Sequence, residues 1–139
     1  MSQGQKLFVK TNLFLYKLTN GKLGGRLRES TVLLLTTTGR KTGQPRTTPL
    51  RYLKHGDAFM IAASNWGQAD PPAWYKNLQA NPVAQIQDMG QHFTVRAEDA
   101  PPELHDELYA RFIQADHRFA DYPKTANRVI PIVLLHPQK

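Results

Sequence analysis

Two periods run through the apolar positions of this chain. Over residues 5–20, Leu7, Thr11, Phe14, Leu15 and Leu18 fall on one side at helical spacing, with Lys6, Lys10 and Lys17 elsewhere and Gly21 as a stop. The spacing predicts an amphipathic helix, which would either pack across a core or attach to a membrane surface. From Ser30 onward the pattern is extended. Ser30–Thr38 is a nearly continuous β-rich apolar run, as expected of a buried strand, and residues 46–54 form a second extended candidate despite Pro49. His55-Gly56-Asp57 makes a short connection into a third strand over residues 58–64.

Asp70-Pro71-Pro72 opens a short helix over Ala73–Ala80, which Asn81-Pro82 closes. Residues 83–87 and 93–97 read as strands paired around a Met89-Gly90 turn. Pro101-Pro102-Glu103 opens a third helix with Leu104, Leu108, Phe112 and Ile113 on one face, and a last strand is expected over residues 129–135. Five or six short strands in antiparallel steps, interrupted by three helices, predict a mainly β fold with flanking helices (α+β). A small barrel or half-open sheet fits this order, and a doubly wound parallel sheet does not, because strands and helices do not alternate.

The length of 139 residues suits one domain, expected as a helix within residues 1–24 followed by a barrel over 27–137. The chain contains no cysteine, which removes disulfides, thiolate catalysis and cysteine-rich metal sites. His55, His92, His105, His117 and His136 are scattered without ligand spacing, so no metal is expected. The longest apolar run, Val32–Leu35, is far below the roughly 20 residues of a membrane span. Without a signal-peptide core as well, the expected location is cytoplasmic, with membrane association only through the first helix.

Charge sharpens the picture. Residues 1–56 carry eleven Lys or Arg against one acid, Glu29, whereas the remainder carries seven against ten. That asymmetry points to an anionic partner for the first half, or to a solubilising surface. No aromatic residues interleave with the basic ones as a nucleic-acid reading surface would require, so no nucleic acid is expected. Within the basic half, Gly39-Arg40-Lys41-Thr42-Gly43 joins two expected strands. Glycines let such a turn bend close to a ligand and expose its amides, while Arg40, Lys41 and the nearby Arg46 add full charges. Taken alone it reads equally as an anion nest or as a solvated basic turn.

Its neighbours narrow the choice. The stretches LLLTTTGRKTGQPRTTPLRYL, FMIAASNWGQADPPAWYKNLQANPVAQIQ and RVIPIVLL closely resemble the deazaflavin (coenzyme F-420)-dependent nitroreductase family, also described as quinone reductases, from about Leu27 to Pro137. The resemblance implies a split β-barrel of the flavin-mononucleotide-binding type and a hydride transfer from the reduced deazaflavin to a quinone or nitro compound. It assigns Arg40, Lys41, Thr42, Gly43 and Arg46 to the cofactor phosphate and Pro49 to the deazaflavin ring. It sets Ala62, Ala63, Ser64, Asn65, Trp66 and Gly67 along the ring's polar edge, and Trp74 and Asn77 beside the ring pocket. Without the family context a Trp on a short helix is more often core.

The catalytic candidates it implies are Tyr122 and Ser64. Nitroreducing relatives carry a tyrosine-rich segment before the last strand; here only Tyr122 keeps a tyrosine, while Phe119 keeps a ring and Asp116 neither. Cofactor use is therefore better supported than nitro-group reduction. Two other readings remain open for a split barrel: the same fold using flavin mononucleotide (FMN), and a non-catalytic flavin or tetrapyrrole binder. A homodimer is compatible with either.

Overall fold

The computed structural model describes residues 26–27 and 30–138; the helix expected over residues 5–20 lies outside the described residues. Seven strands form one sheet: β1 (Arg26–Leu27), β2 (Ser30–Thr38), β3 (Pro45–His55), β4 (Ala58–Ala62), β5 (Val83–Asp88), β6 (Gln91–Asp99) and β7 (Ile132–Pro137). Their order is β1-β2-β3-β4-β7-β6-β5, antiparallel throughout. Leu34–Thr36 of β2 also pair with Gln85–Gln87 of β5, which closes β2 through β7 into a six-stranded barrel. The mainly β, split-barrel expectation holds.

Alternation explains how the barrel is filled. In β4, Phe59 and Ile61 point into the barrel with Leu33, Leu35, Ala84, Ile86, Val95, Val133 and Leu135. Their neighbours Ala58 and Met60 face the opposite side, under the long helix α2 (Pro102–Ala115), with Leu108, Phe112, Ile132 and Leu134. Strands buried on both faces need apolar residues at every position, which is why AFMIA and IVLL read as runs. The short helix α1 (Ala73–Ala80) inserts Trp74 and Leu78 into the barrel core.

Strand direction fixes where the loops lie. β2 and β4 run the same way, being two antiparallel steps apart, so the β2–β3 connection and the segment after β4 emerge at one rim. β7 starts at that rim and β6 ends there. The α1 helix, leading into the start of β5, and the residues just before β7 therefore gather around the same opening.

Several boundaries differ from expectation. The last strand begins at Ile132, not Val129, and extends to Pro137. Asn127, at φ 54°, ends a short helix α3 (Tyr122–Ala126), and Pro131 has no N–H to offer a ladder, so residues 128–131 cross to the strand as a connector with Val129 71% exposed. β6 reaches from Gln91 to Asp99, because Met89 and Gly90 both adopt positive φ (51° and 90°) and close a tight two-residue turn. β4 stops at Ala62, where a 3₁₀ turn over Asn65–Gly67 takes over.

Two contacts hold the 116–126 segment against the barrel. Asp116 accepts hydrogen bonds from Arg51 of β3 (2.7 Å) and from Arg118, whose Nη2 lies 2.6 Å away. Those Arg118 bonds, helped by its backbone N–H and by Arg51 and opposed by burial, hold the Asp116 carboxyl far below the usual carboxylate range. Further along, α3 lies on the 3₁₀ turn at Gly67. A Cβ there would sit 2.5 Å from Thr125 Oγ1 and 3.1 Å from Tyr122 Cδ1, and φ is +78°.

Since the Asp116 pKa is depressed on folding, its contribution is present above the unfolded value near 3.9 and fades as pH falls below it. Asp116→Asn should therefore lower the urea midpoint at neutral pH, with the gap to wild type narrowing between about pH 5 and about pH 3. A gap independent of pH would refute the ion-pair account. Gly67→Ala combines an unfavourable φ with two close contacts and should cost about 1–3 kcal/mol in urea unfolding. An unchanged midpoint would show that α3 does not bear on the turn.

Candidate active site

The β2–β3 connection is closed by hydrogen bonds from Gly39 N–H to the Gln44 carbonyl and from Gly43 N–H to the Gly39 carbonyl, both 2.8 Å, with Gly43 at φ +72°. Thr42 Oγ1 accepts from the Gln44 amide at 3.2 Å. Arg40, Lys41 and Arg46 are exposed, and none forms an ion pair among the described residues. The amides of Lys41 and Thr42 likewise have no acceptor there. A glycine-bounded turn with three unpaired cations and two free amides has the chemistry of an anion site.

Asn77 holds this loop in place. It is 4% exposed; its Oδ1 accepts from the Arg40 amide at 3.1 Å and its Nδ2 donates to Thr37 Oγ1 at 3.1 Å. Its Oδ1 thus serves the loop's backbone and its Nδ2 the end of β2, so that it ties α1 to both. Trp74, 7% exposed, packs in the barrel core and meets Tyr75 edge-on at 6.3 Å. Here the common packing role of a helical Trp describes the ring. Pro49 is half-buried opposite Leu34, in the part of β3 that pairs with β2 but not with β4, where a missing N–H disturbs no second ladder.

The stretch from Ala62 to Gly67 forms the second element of the rim. Ala63 is fully buried and donates to the Pro131 carbonyl. Ser64 is right-handed (φ −79°, ψ −31°), and Asn65 and Trp66 follow at φ 47° and 59°. A right-handed residue followed by a left-handed one is the nest conformation, and the amides of Ser64, Asn65 and Trp66 donate to no group among the described residues. Trp66 is 49% exposed. Asn65 Nδ2 donates to the Asp70 carbonyl at 2.8 Å, and the Asp70 carboxylate pairs with Lys76 at 2.8 Å. That Lys76 hydrogen bond leads the lowering of the Asp70 pKa, with Arg128 and Arg40 contributing through their charges.

Arg128, which sequence reasoning left without a role, meets the turn from the connector before β7. Its Nη2 donates to the carbonyls of Ala63 (3.1 Å) and Ser64 (3.2 Å), and its Nε to that of Gln68 (3.3 Å). Nη1 is buried and has no acceptor among the described residues. Left-handed non-glycine residues cost about 1–2 kcal/mol each, and a hydrogen bond to a charged group returns about 1.5–3 kcal/mol. Three such bonds outweigh two strained residues, but the orphaned Nη1 takes back about 1–3 kcal/mol. The net is small, so the cluster specifies a shape more than it adds stability. The one hint in the sequence was an isolated arginine immediately ahead of the apolar run that opens at Val129.

Tyr122 opens α3 beside Gly67, its ring edge-on to Phe119 at 5.0 Å. Burial raises its pKa, so at neutral pH the hydroxyl is protonated and acts as a donor. It makes no hydrogen bond among the described residues, unlike Tyr109, whose hydroxyl donates to the Phe119 carbonyl at 2.6 Å. The fold thus brings the basic loop, the Ala62–Gly67 turn and Tyr122 to one rim. A separate cleft of about 820 Å³, bordered by Asp99, His105, Tyr109, Arg128 and Val129, contains none of the residues expected from sequence.

Comparison with known proteins identifies the family and the fold. The family model described as F420H(2)-dependent quinone reductase matches residues 8–137. An F420H(2)-dependent quinone reductase of Mycobacterium tuberculosis is 42% identical over 127 residues, covering 87% of this chain and 84% of the relative. Among solved structures, an F420-H2 dependent reductase (FDR-A) superposes with a TM-score of 0.68 at 28% identity, over 76% of this chain and 93% of that one. Another, described as a domain-swapped dimer, gives 0.71 at 26% identity over 91% and 96%. With nearly its whole length matched by the family model, the chain is an oxidoreductase that belongs to the F420H(2)-dependent quinone reductase family.

Proposed function

We propose that the chain is a single-domain reductase that transfers a hydride from reduced coenzyme F420 to a quinone, binding the coenzyme's phosphate at Arg40, Lys41, Thr42, Gly43 and Arg46. The observation that carries this reading is the loop itself: three exposed cations in no ion pair and two amides without acceptors among the described residues, fixed by Asn77. A deazaflavin with a phosphate and an anionic tail matches that donor set, and flavin mononucleotide is not needed to explain it. The free amides of Ser64, Asn65 and Trp66 suit the polar edge of the ring, with Pro49 and the Ala62–Ala63 backbone as its apolar walls.

Bound F420 supplies the hydride. The protein's own part is to bind, orient and exclude water. Arg40, Lys41 and Arg46 neutralise the anionic end, and the Ser64–Trp66 amides orient the ring. Ser64, whose carbonyl Arg128 holds, takes part through its backbone. Tyr122, protonated and without an internal partner, donates a hydrogen bond or a proton to the acceptor's oxygen.

A quinone is favoured over a nitro compound because Tyr122 is the one hydroxyl in its segment. Asp116 is committed to Arg51 and Arg118, and Phe119 is a buried ring. No helix among the described residues is long and apolar enough to cross a membrane. A lipophilic acceptor would give the basic amphipathic segment over residues 5–20 a use at a membrane surface, and pairing of two copies is in keeping with the domain-swapped neighbour.

Titration of oxidised coenzyme should show Lys41→Ala combined with Arg46→Ala binding about tenfold or more weakly, through loss of charge-assisted phosphate contacts, with thermal unfolding unchanged. Equal affinity in variant and wild type would move the phosphate site elsewhere. Steady-state assays with a panel of quinones and nitroaromatics should find quinones turned over preferentially. Tyr122→Phe should lower kcat/KM for quinones by about tenfold or more while leaving coenzyme affinity alone. If kcat/KM is unaffected, solvent water supplies the proton instead.

A further inference from the structure

Arg128 is a half-buried cation with one guanidinium nitrogen, Nη1, fully enclosed, and the mechanism above gives it no step of its own. It lies outside the ring's expected contacts, yet its guanidinium takes three carbonyl acceptors, all from one short stretch: Ala63, Ser64 and Gln68. These carbonyls bracket the two left-handed residues Asn65 and Trp66, and Gly67 at φ +78°. The turn's own bonds are few: Gly67 N–H to the Ser64 carbonyl, Gln68 N–H to the Asn65 carbonyl, and Asn65 Nδ2 to the Asp70 carbonyl. Strained backbone persists only where its surroundings over-determine it. Arg128 supplies that constraint from the side opposite to the Ser64 and Asn65 amides, since the Ala63 and Ser64 carbonyls it holds point away from the N–H of the same peptide unit, while the Asn65 carbonyl opposite the Trp66 amide is held by the Gln68 N–H.

We infer that Arg128 is a positioning residue for hydride transfer: by gripping the Ala63, Ser64 and Gln68 carbonyls it holds the Ser64, Asn65 and Trp66 amides as a preformed nest for the polar edge of the deazaflavin ring. The inference rests on the proposed cofactor site. A lysine in its place could keep the charge but not the fork that reaches carbonyls on both sides of the turn. Nη1 is buried without an acceptor among the described residues, a cost that offsets much of what the three carbonyl bonds return, so the guanidinium fixes the turn's shape more than it adds stability. Arg128 also follows Asn127, the left-handed cap of the helix that carries Tyr122, so one residue sets the ring's edge relative to the hydroxyl offered to the acceptor.

The test uses the whole chain with Arg128→Lys, Arg128→Gln, and the Lys41→Ala/Arg46→Ala variant as comparison. In the free proteins, amide hydrogen exchange at Gly67 and Gln68 should accelerate about ten- to a hundredfold in both Arg128 variants, the size expected for loss of a hydrogen bond to a charged group. Exchange in β4 and β7 should not change, which also reports that the variants fold. Two ligands are then titrated: oxidised F420, and its deazaflavin nucleoside without phosphate or tail. The Arg128 variants should bind both more weakly by the same factor of about ten or more, whereas the loop variant should lose affinity for F420 alone. Unchanged exchange at Gly67 and Gln68 overturns the grip, and faster exchange with unchanged affinity for both ligands overturns the link to the ring. If the loop variant keeps full affinity for F420 while the Arg128 variants lose it, the phosphate assignment fails and the role of Arg128 stands.

Discussion

The barrel closes because β2 accepts two partners, β3 along its length and β5 through Leu34–Thr36. A closed sheet has no long edge to protect and an interior that side chains must fill, so β2 and β4 spend nearly all their positions on packing. What remains for chemistry is the rim. The antiparallel order decides which loops share it: the β2–β3 connection, the turn after β4, the start of α1 and the connector into β7. Residues some sixty to ninety positions apart in sequence, Arg40 and Arg128 among them, meet there because strand direction leaves them no other end.

The rim uses positive charge in two opposite ways. Arg40, Lys41 and Arg46 stay exposed and form no ion pair among the described residues, where water keeps such a cation inexpensive and leaves it free for the phosphate proposed above. Arg128 and Arg51 are turned inward onto acceptors, where they set positions. Arg51 reaches Asp116 and ties down the segment that ends in Tyr122. Anchoring and binding are thus divided between different cations, so a ligand need not break an internal ion pair to enter.

Much of this was legible from residue pattern. The runs in β2, β4 and β7, the prolines framing α1 and α2, and the glycine-bounded basic loop all carry their reasons locally, in periodicity or backbone permissiveness. The boundary of β7 did not, because Val129 and Ile130 look like strand while Asn127 and Pro131 decide otherwise. The roles of Asn77 and Trp74 were only half legible. Their sequence neighbourhood places them by the pocket, but burial and hydrogen bonding show Asn77 serving the loop backbone and Trp74 the core. Asp116 read as a lost tyrosine, and its partner in β3 is 65 residues away. Contacts of that span leave no mark in a local pattern.

The same distance explains why Arg128 escaped notice and why it matters. A turn of two left-handed non-glycine residues cannot maintain itself from Ser64–Gly67 alone, since its internal bonds are those of any single 3₁₀ turn. The stabilising group has to come from elsewhere, and the β7 connector and α3 are elements that arrive at this point of the rim. Gly67 keeps α3 close and Arg128 keeps the carbonyls engaged, so removal of either loosens the same six residues from opposite sides. At the proposed site, the amides offered to the ring would thereby be set by packing outside the cofactor's reach, giving it a surface whose shape is fixed beforehand.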